Sequence, residues 1–224
     1  MTAALDELAI LPATNQAYHI LYQDEALLVV DKPTKLLTVP GRHPANRDCL
    51  ISRVQCEFPG AQVVHRLDYD TSGIVLLPLT KKALSALSKQ FQARSISKLY
   101  QARVAGQLSA AVGEINLPIA PDAERRPLYK ICQLTGKPSL THYRVLEYRA
   151  GDDSTLVELE PVTGRSHQLR LHLAAIGHPI LGDSLYASPA QAAMAPRLLL
   201  HAQQIRLQHP NTAKELTLTA TIDF

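Results

Sequence analysis

Residues 65–73, HRLDYDTSG, combine a histidine and an arginine with two aspartates among small polar residues. Asp, Thr, Ser and Gly are the residues that tight turns prefer, so an ordinary turn between two strands would explain part of this composition. A turn does not explain His65-Arg66 at its entrance, where a strand normally carries apolar or β-branched residues. A carboxylate beside a cation can also act as a nucleophile or stabilise developing positive charge.

The same stretch has part of the spacing of a calcium loop. Asp68, Asp70, Ser72 and Gly73 fit positions 1, 3, 5 and 6 of an EF-hand. The bidentate glutamate required at position 12 would fall at Leu79, and no pair of flanking helices is evident. We therefore reject the calcium interpretation and expect no metal.

A second stretch, GRSHQLR at residues 164–170, offers cations that could partner a carboxylate. Thr163 is a suitable N-cap for a helix that continues to Gly177, although the alternating apolar residues also allow a strand. In a helix, Arg165 and Arg170 would lie in the first two turns, where the helix dipole disfavours cations by about 0.3–1 kcal/mol. A phosphate or carboxylate partner would reverse that penalty, and a solvated pair of surface arginines is the alternative.

Together, HRLDYDTSG and GRSHQLR resemble the RluA family of pseudouridine synthases, whose pattern is H-R-L-D-x-x-T-S-G followed by G-R-x-H-Q-[IL]-R. GHPILGD (177–183) and RLLLHA (197–202) extend the likeness, which runs from about Ile20 to the end of the chain. The resemblance implies an enzyme that isomerises uridines in large-subunit ribosomal RNA and in the tRNA anticodon stem-loop. This reaction involves neither net redox change nor hydrolysis, so we expect no cofactor.

The resemblance also implies a catalytic pair. Asp68 would act at the C1′ atom of a flipped-out uridine, either by forming a covalent ester or by driving a glycal route. Arg170 would form a short ion pair with Asp68, favouring the charged carboxylate that burial alone would disfavour.

Four further residues are expected to bind the substrate or to support the active site. By resemblance, Arg66 fills the space vacated by the uridine or holds the displaced strand, since its planar cation can stack on bases and bind phosphate. Tyr100 matches a tyrosine that lies over the uracil ring, although a half-buried strand tyrosine would look the same. His65 is expected mainly to support the loop, and Arg165 is included as active-site support.

The elements that must position these residues are mostly strands. Apolar runs and alternation predict strands at HILYQD, ALLVVDKP, VVHRL, GIVLLPL, KLYQARVAG, GEINLPI, SLTHYRVLEY and STLVELEPV. A helix is predicted within residues 48–58 and another after a Thr80 cap, and LLLHAQQIRLQHP with KELTLTATI predicts a C-terminal hairpin. The fold class is therefore α+β, a pseudouridine synthase fold with a mixed, mostly antiparallel central sheet flanked by helices and loops.

Composition sets the wider limits. The chain has 224 residues, of which 46% are hydrophobic and 19% charged, a globular balance large enough for a sizeable core. Residues 1–17 are predicted to form a loosely held N-terminal arm and residues 18–224 a single catalytic domain, which leaves no room for an S4 RNA-binding domain. The net charge of +3 is compatible with RNA but is shared by many soluble enzymes.

Location and assembly follow from what the sequence lacks. The N-terminal stretch is a poor signal peptide, and no segment approaches the roughly 20 apolar residues of a membrane span. Three cysteines without a C-x-x-C pair suit a reducing compartment. We expect a cytoplasmic protein, with a monomer as the simpler assembly.

Three other functions compete with this interpretation. A glycoside hydrolase also uses paired carboxylates, but Asp68 and Asp70 are only two positions apart on one turn and cannot flank a sugar well. A zinc deaminase would need H-x-E and P-C-x-x-C, which this sequence lacks. A non-catalytic RNA-binding module is the strongest rival, and it would tolerate loss of the Asp68 carboxylate.

Overall fold

The computed structural model describes residues 9–224, and the chain within it divides into two compact units. The first unit comprises the residues up to Ile96 together with Ile205–Ala220. The second comprises Ser97–Gln204 and Thr221–Phe224. The grouping of residues 18–224 as one catalytic domain remains a prediction.

The first unit is built on three antiparallel strands that pair in chain order. These are β1 (His19–Gln23), β2 (Leu27–Lys32) and β3 (Ser72–Pro78). Helix α1 (Leu50–Gln55) lies between β2 and β3 in the chain, and α2 (Lys81–Ala93) follows β3. All seven residues of β3 are buried, as its continuous apolar run predicts for a strand that is covered on both faces.

The second unit contains an antiparallel sheet in the order β4–β9–β8–β5 and a small two-stranded sheet, β6–β7. The six strands are β4 (Ser97–Ala105), β5 (Val112–Asn116), β6 (Ile119–Pro121), β7 (Tyr129–Ile131), β8 (Leu140–Arg149) and β9 (Ser154–Pro161). Helices α3 (Gln168–Ala175) and α4 (Pro189–Ala193) follow β9. Leu169 and Leu173 of α3 pack into the apolar core with residues of β4 and β9.

The last two strands confirm the predicted C-terminal hairpin. They are β10 (Leu200–Gln208) and β11 (Glu215–Thr219), which pair with each other. Thr80 also caps α2 as predicted, because its hydroxyl accepts a hydrogen bond from the backbone N–H of Ala83 at 3.1 Å. Antiparallel pairing with a few helices confirms the α+β class.

Two local predictions are wrong. Residues VVHRL do not form a strand but belong to an irregular segment before β3. Thr163 does not cap α3, which begins five positions later at Gln168. Arg165 therefore lies outside the helix, and only Arg170 occupies its first turn, so the dipole argument does not apply to Arg165.

Residues 1–8 of the predicted arm lie outside the described residues.

Over residues 9–224, no helix has the length and apolar character that crossing a bilayer requires.

Candidate functional site

The loop that carries Asp68 is fixed through its backbone by threonine side chains of the preceding segment. The Thr38 hydroxyl donates to the carbonyl of Leu67 at 2.8 Å and accepts from its N–H at 3.1 Å. The Thr34 hydroxyl donates to the carbonyl of Asp70 at 2.7 Å. Bonds on both sides of Asp68 therefore hold its backbone without involving its carboxylate.

Lys32 is the last residue of β2 and contacts this loop. It is fully buried, with 0% of the residue exposed. Its ammonium group donates to the carbonyl oxygens of Pro33 at 2.9 Å, Leu36 at 2.7 Å and Tyr69 at 3.4 Å. Because Tyr69 directly follows Asp68, Lys32 fixes the backbone next to the candidate carboxylate.

Burial lowers the pKa of Lys32 from 10.5 to about 7, although the negative charges of Asp68, Asp70 and Asp31 act in the opposite direction. Between these two pKa values the unfolded chain binds a proton that the native lysine has released. The contribution of Lys32 to the free energy of unfolding therefore rises with pH across this window and is lost as the pH falls towards 7.

We expect Lys32→Met to remove this dependence, which amounts to about 1.4 kcal/mol per pH unit at most. Urea denaturation at several pH values between the two pKa values measures the slope for each protein. Lys89→Met, which changes an exposed lysine on α2, should keep the slope of the unmodified protein. Equal slopes for Lys32→Met and the unmodified protein would contradict the assignment.

His65 and Arg66 lie at the entrance of the loop and have different environments. His65 Nε2 accepts a hydrogen bond from the backbone N–H of Leu76 at 2.8 Å, and its ring lies 4.9 Å from that of Phe91. This imidazole thus occupies the place of a ladder acceptor beside β3, and its role as a support of the loop stays a prediction. Arg66 is exposed.

The residues before β1 are fastened to the same loop region, so the prediction of a loosely held arm is wrong for residues 9–17. The Tyr69 hydroxyl donates to the carbonyl of Pro12 at 2.7 Å. Buried Asn46 makes two bonds to the arm: it accepts from Leu11 N–H at 2.9 Å and donates to the carbonyl of Ala9 at 2.8 Å. Side-chain hydrogen bonds from Asn46 and Tyr69 thus hold the arm, which has no regular secondary structure over residues 9–17.

Asn46→Ala should therefore lower the free energy of unfolding by about 1–3 kcal/mol, since two hydrogen bonds worth about 0.5–1.5 kcal/mol each are lost. Chemical denaturation measures the change. Asn211→Ala, at an exposed asparagine, is the matched control and should stay within about 0.5 kcal/mol of the unmodified protein. The arm is not anchored through Asn46 if both variants have the same stability.

The GRSHQLR segment enters α3 through a turn that is held by the side chain of Gln168. Its Oε1 accepts from the Thr163 hydroxyl at 2.8 Å and from Arg165 N–H at 3.0 Å. Its Nε2 donates to Leu140 O and Thr141 Oγ1, each at 3.0 Å. Thr163 thus stabilises the turn before the helix, which explains why it does not serve as the N-cap.

Arg170 is almost completely buried and forms a two-pronged ion pair with Asp183. Its Nε donates to Asp183 Oδ2 at 2.8 Å and its Nη2 to Oδ1 at 2.6 Å, with side chains only 2% and 0% exposed. This pair uses two of the five N–H donors of the guanidinium. It therefore does not by itself exclude a second anionic partner for Arg170.

The remaining predicted residues lie in the second unit. Arg165 is half-buried, and its Nη2 donates to the carbonyl of Pro138 at 3.4 Å, a long bond. Tyr100 lies on β4 opposite Leu159 of β9 and is half-buried against the core of its unit. Asp68, Arg66 and His65 belong to the first unit.

Lys32 and Asp183 are the two residues that the sequence reasoning missed. Lys32 ends an apolar strand that is buried on both faces, and a charge in such a run is a signal in itself. Asp183 lies in GHPILGD, a stretch that supports the family resemblance but whose aspartate was given no role. Neither position reveals its distant partner, which is the Tyr69 carbonyl for Lys32 and the Arg170 guanidinium for Asp183.

Comparisons with known proteins agree on one family. The RNA pseudouridylate synthase family matches residues 26–175, a range that includes both motifs. The dual-specificity RNA pseudouridine synthase RluA of Escherichia coli strain K12 is 50% identical over 205 residues, which are 92% of this chain and 93% of that protein. The enzyme of the same name from Pasteurella multocida strain Pm70 is 46% identical over 213 residues, covering 95% and 97%.

Solved structures agree with the sequence relatives. Human RNA pseudouridylate synthase domain containing 1 is similar with a TM-score of 0.78 and 31% identity, over 94% of this chain and 85% of that one. Human RNA pseudouridylate synthase domain containing 4 has a TM-score of 0.73 and 26% identity, over 92% and 88%.

Proposed function

Because this chain belongs to the RNA pseudouridylate synthase family, we propose that it converts specific uridines of large-subunit ribosomal RNA and of the tRNA anticodon stem-loop to pseudouridine. The family match and the relatives named dual-specificity support two kinds of RNA substrate. The observation that carries the proposal is the loop of Asp68. Hydrogen bonds hold the backbone on both sides of this residue, and its negative charge raises the pKa of buried Lys32.

The reaction needs a carboxylate at the anomeric carbon. It breaks the bond between N1 of the uracil and C1′, turns the ring and joins C5 to C1′, while C5 releases its proton and N1 takes one up. Asp68 either attacks C1′ as a nucleophile or stabilises the positive charge that develops on the sugar. A rigid loop favours both routes, because a group that is already placed need not be ordered during the reaction.

Arg170 supplies the cation that keeps the catalytic carboxylate charged, as the family pattern implies. A guanidinium favours the anionic form of a carboxylate, opposing the effect of burial. The fixed orientation of the Arg170 guanidinium on Asp183 supports this role, since a cation that is held in place acts more strongly than a mobile one.

The target uridine must leave its stack, which costs a few kcal/mol unless it lies in a loop. Arg66 takes the vacated space or binds the displaced strand, and its exposure is consistent with contact to RNA. Tyr100 provides a stacking surface for the uracil. The protein acts as a cytoplasmic monomer without a metal or cofactor, and light scattering of the purified protein tests the assembly state.

Pseudouridine mapping in RNA from cells with and without this protein tests the proposal. The expected result is the loss of one site in large-subunit ribosomal RNA and of one in the anticodon loop of certain tRNAs. Restoring the unmodified protein should return both sites, whereas Asp68→Asn should return neither. If no site disappears, the proposed targets are wrong.

A further inference from the structure

The environment of Arg170 is more elaborate than a single ion pair. Asp183 Oδ1, which receives Nη2 of Arg170, also accepts the backbone N–H groups of Leu185 at 2.8 Å and Tyr186 at 3.2 Å. Backbone N–H groups of the turn that follows Asp183 thus fix its carboxylate independently of the arginine. Gly182, just before it, has a φ of 76°, and an added Cβ would overlap the carbonyl of Arg197, so only glycine fits there.

The ring of Tyr186 provides a second contact. The guanidinium carbon of Arg170 lies 5.6 Å from the centre of this ring, within the range of a cation–π interaction. Asp183 therefore binds two N–H groups of the guanidinium, and the ring of Tyr186 adds a second contact that restricts the position of the guanidinium.

The hydroxyl of Tyr186 ties this arrangement to the GRSHQLR turn and to the small sheet. It lies 2.7 Å from Nδ1 of His167 and accepts the backbone N–H of Tyr129, on β7, at 2.9 Å. His167 has a left-handed backbone with a φ of 55° immediately before α3. The bond from Tyr186 helps to hold this uncommon conformation, from which the helix bearing Arg170 begins.

We propose that Asp183 and Tyr186 are positioning residues that fix the guanidinium of Arg170 for catalysis. The inference rests on the proposed role of Arg170 as the cationic partner of the catalytic carboxylate. An arginine side chain has many rotamers, and a catalytic charge must be held within about 0.5 Å of its productive place. Asp183 and Tyr186 supply that restraint from outside the motif that contains Arg170.

A double-mutant cycle with Arg170→Ala and Asp183→Asn tests the proposal through single-turnover rates on a saturating anticodon stem-loop. Asp183→Asn keeps the shape of the side chain and removes its charge, so we expect a rate loss on the order of 100-fold. The dissociation constant for the RNA should change less than about twofold. Combined with Arg170→Ala, it should add almost nothing, because the residue that it positions is already absent.

Asp122→Asn is the matched control in the same unit. Asp122 is 2% exposed, accepts the backbone N–H of Glu124 at 3.3 Å and pairs with Arg125 at 2.8 Å, and these partners lie outside α3. The turnover of the Asp122→Asn protein should be near normal. An Asp183→Asn protein with the melting temperature of this control and normal turnover would overturn the proposal, as would additive losses in the cycle.

Tyr186 keeps the test decisive if Asp183→Asn does not fold. Tyr186→Leu removes both the ring face and the hydroxyl and should reduce the single-turnover rate with RNA affinity unchanged. Tyr186→Phe keeps the ring and should lose less. Unchanged rates in both variants would refute the role of Tyr186 as a positioning residue.

The cycle also separates this inference from the function on which it rests. Near-normal turnover of Arg170→Ala would remove the proposed role of Arg170 and with it any reason to position that residue. A large loss in Arg170→Ala beside normal turnover in Asp183→Asn would refute the positioning alone.

Discussion

Replacing Asp68 with asparagine or alanine is expected to reduce turnover by at least about 10³-fold, the scale seen when a catalytic nucleophile is removed. Asparagine has nearly the same shape but carries no charge and cannot serve the reacting sugar as a carboxylate does. The loop should keep its conformation, because Thr34 and Thr38 hold it through backbone atoms. The loss should therefore appear in the rate and not in RNA affinity.

Release of the C5 hydrogen from RNA labelled at that position measures the rate, and filter binding measures the affinity. Asp70→Asn, two positions along the same loop, removes an equal charge and should cause a much smaller loss. If Asp68→Asn and Asp68→Ala both turn over normally, Asp68 is not the catalytic group and a non-catalytic RNA-binding module becomes the better interpretation.

Arg170→Ala is expected to have the second largest effect. Turnover should fall on the order of 100-fold or more, and RNA binding should be largely retained. The variant removes the cation that is proposed to keep the catalytic carboxylate charged. It also leaves the carboxylate of Asp183 buried without its partner, which typically costs about 3–5 kcal/mol of stability. Rates must therefore be measured well below the melting temperature of the variant.

Arg170→Lys separates charge from geometry. It keeps the positive charge but loses the planar fork that binds both oxygens of Asp183, so its turnover should fall between that of Arg170→Ala and the unmodified protein. Turnover close to normal in a folded Arg170→Ala protein would rule out the proposed role of this residue.

The elements that the sequence predicts well are those with a strong local signal. The continuous apolar run of β3, the threonine cap of α2 and the alternation in β8 and β9 each specify an element within a few residues. Family membership is also local, because it depends on two short motifs, and the comparisons confirm it. For these features, neighbouring residues in the chain hold all the information that is needed.

The errors arise where a side-chain hydrogen bond replaces the bonds of regular secondary structure. VVHRL has the composition of a strand, but His65 offers its imidazole to Leu76, eleven positions away, and no strand forms. Thr163 has the chemistry of an N-cap, but Gln168 takes its hydroxyl into a turn that also binds Thr141. Propensity predicts what a residue can do, and tertiary contacts select among these possibilities.

By itself, the sequence determined the family, the strands and helices with strong periodicity, and Asp68 as the candidate catalytic residue. Only the tertiary structure decided that Lys32 is buried beside the loop and that Asp183 binds Arg170. The physical reason is that desolvation and pairing depend on which groups surround a charge in space. Lys32 bonds a carbonyl 37 positions away and Arg170 a carboxylate 13 positions away, and no local pattern encodes either distance.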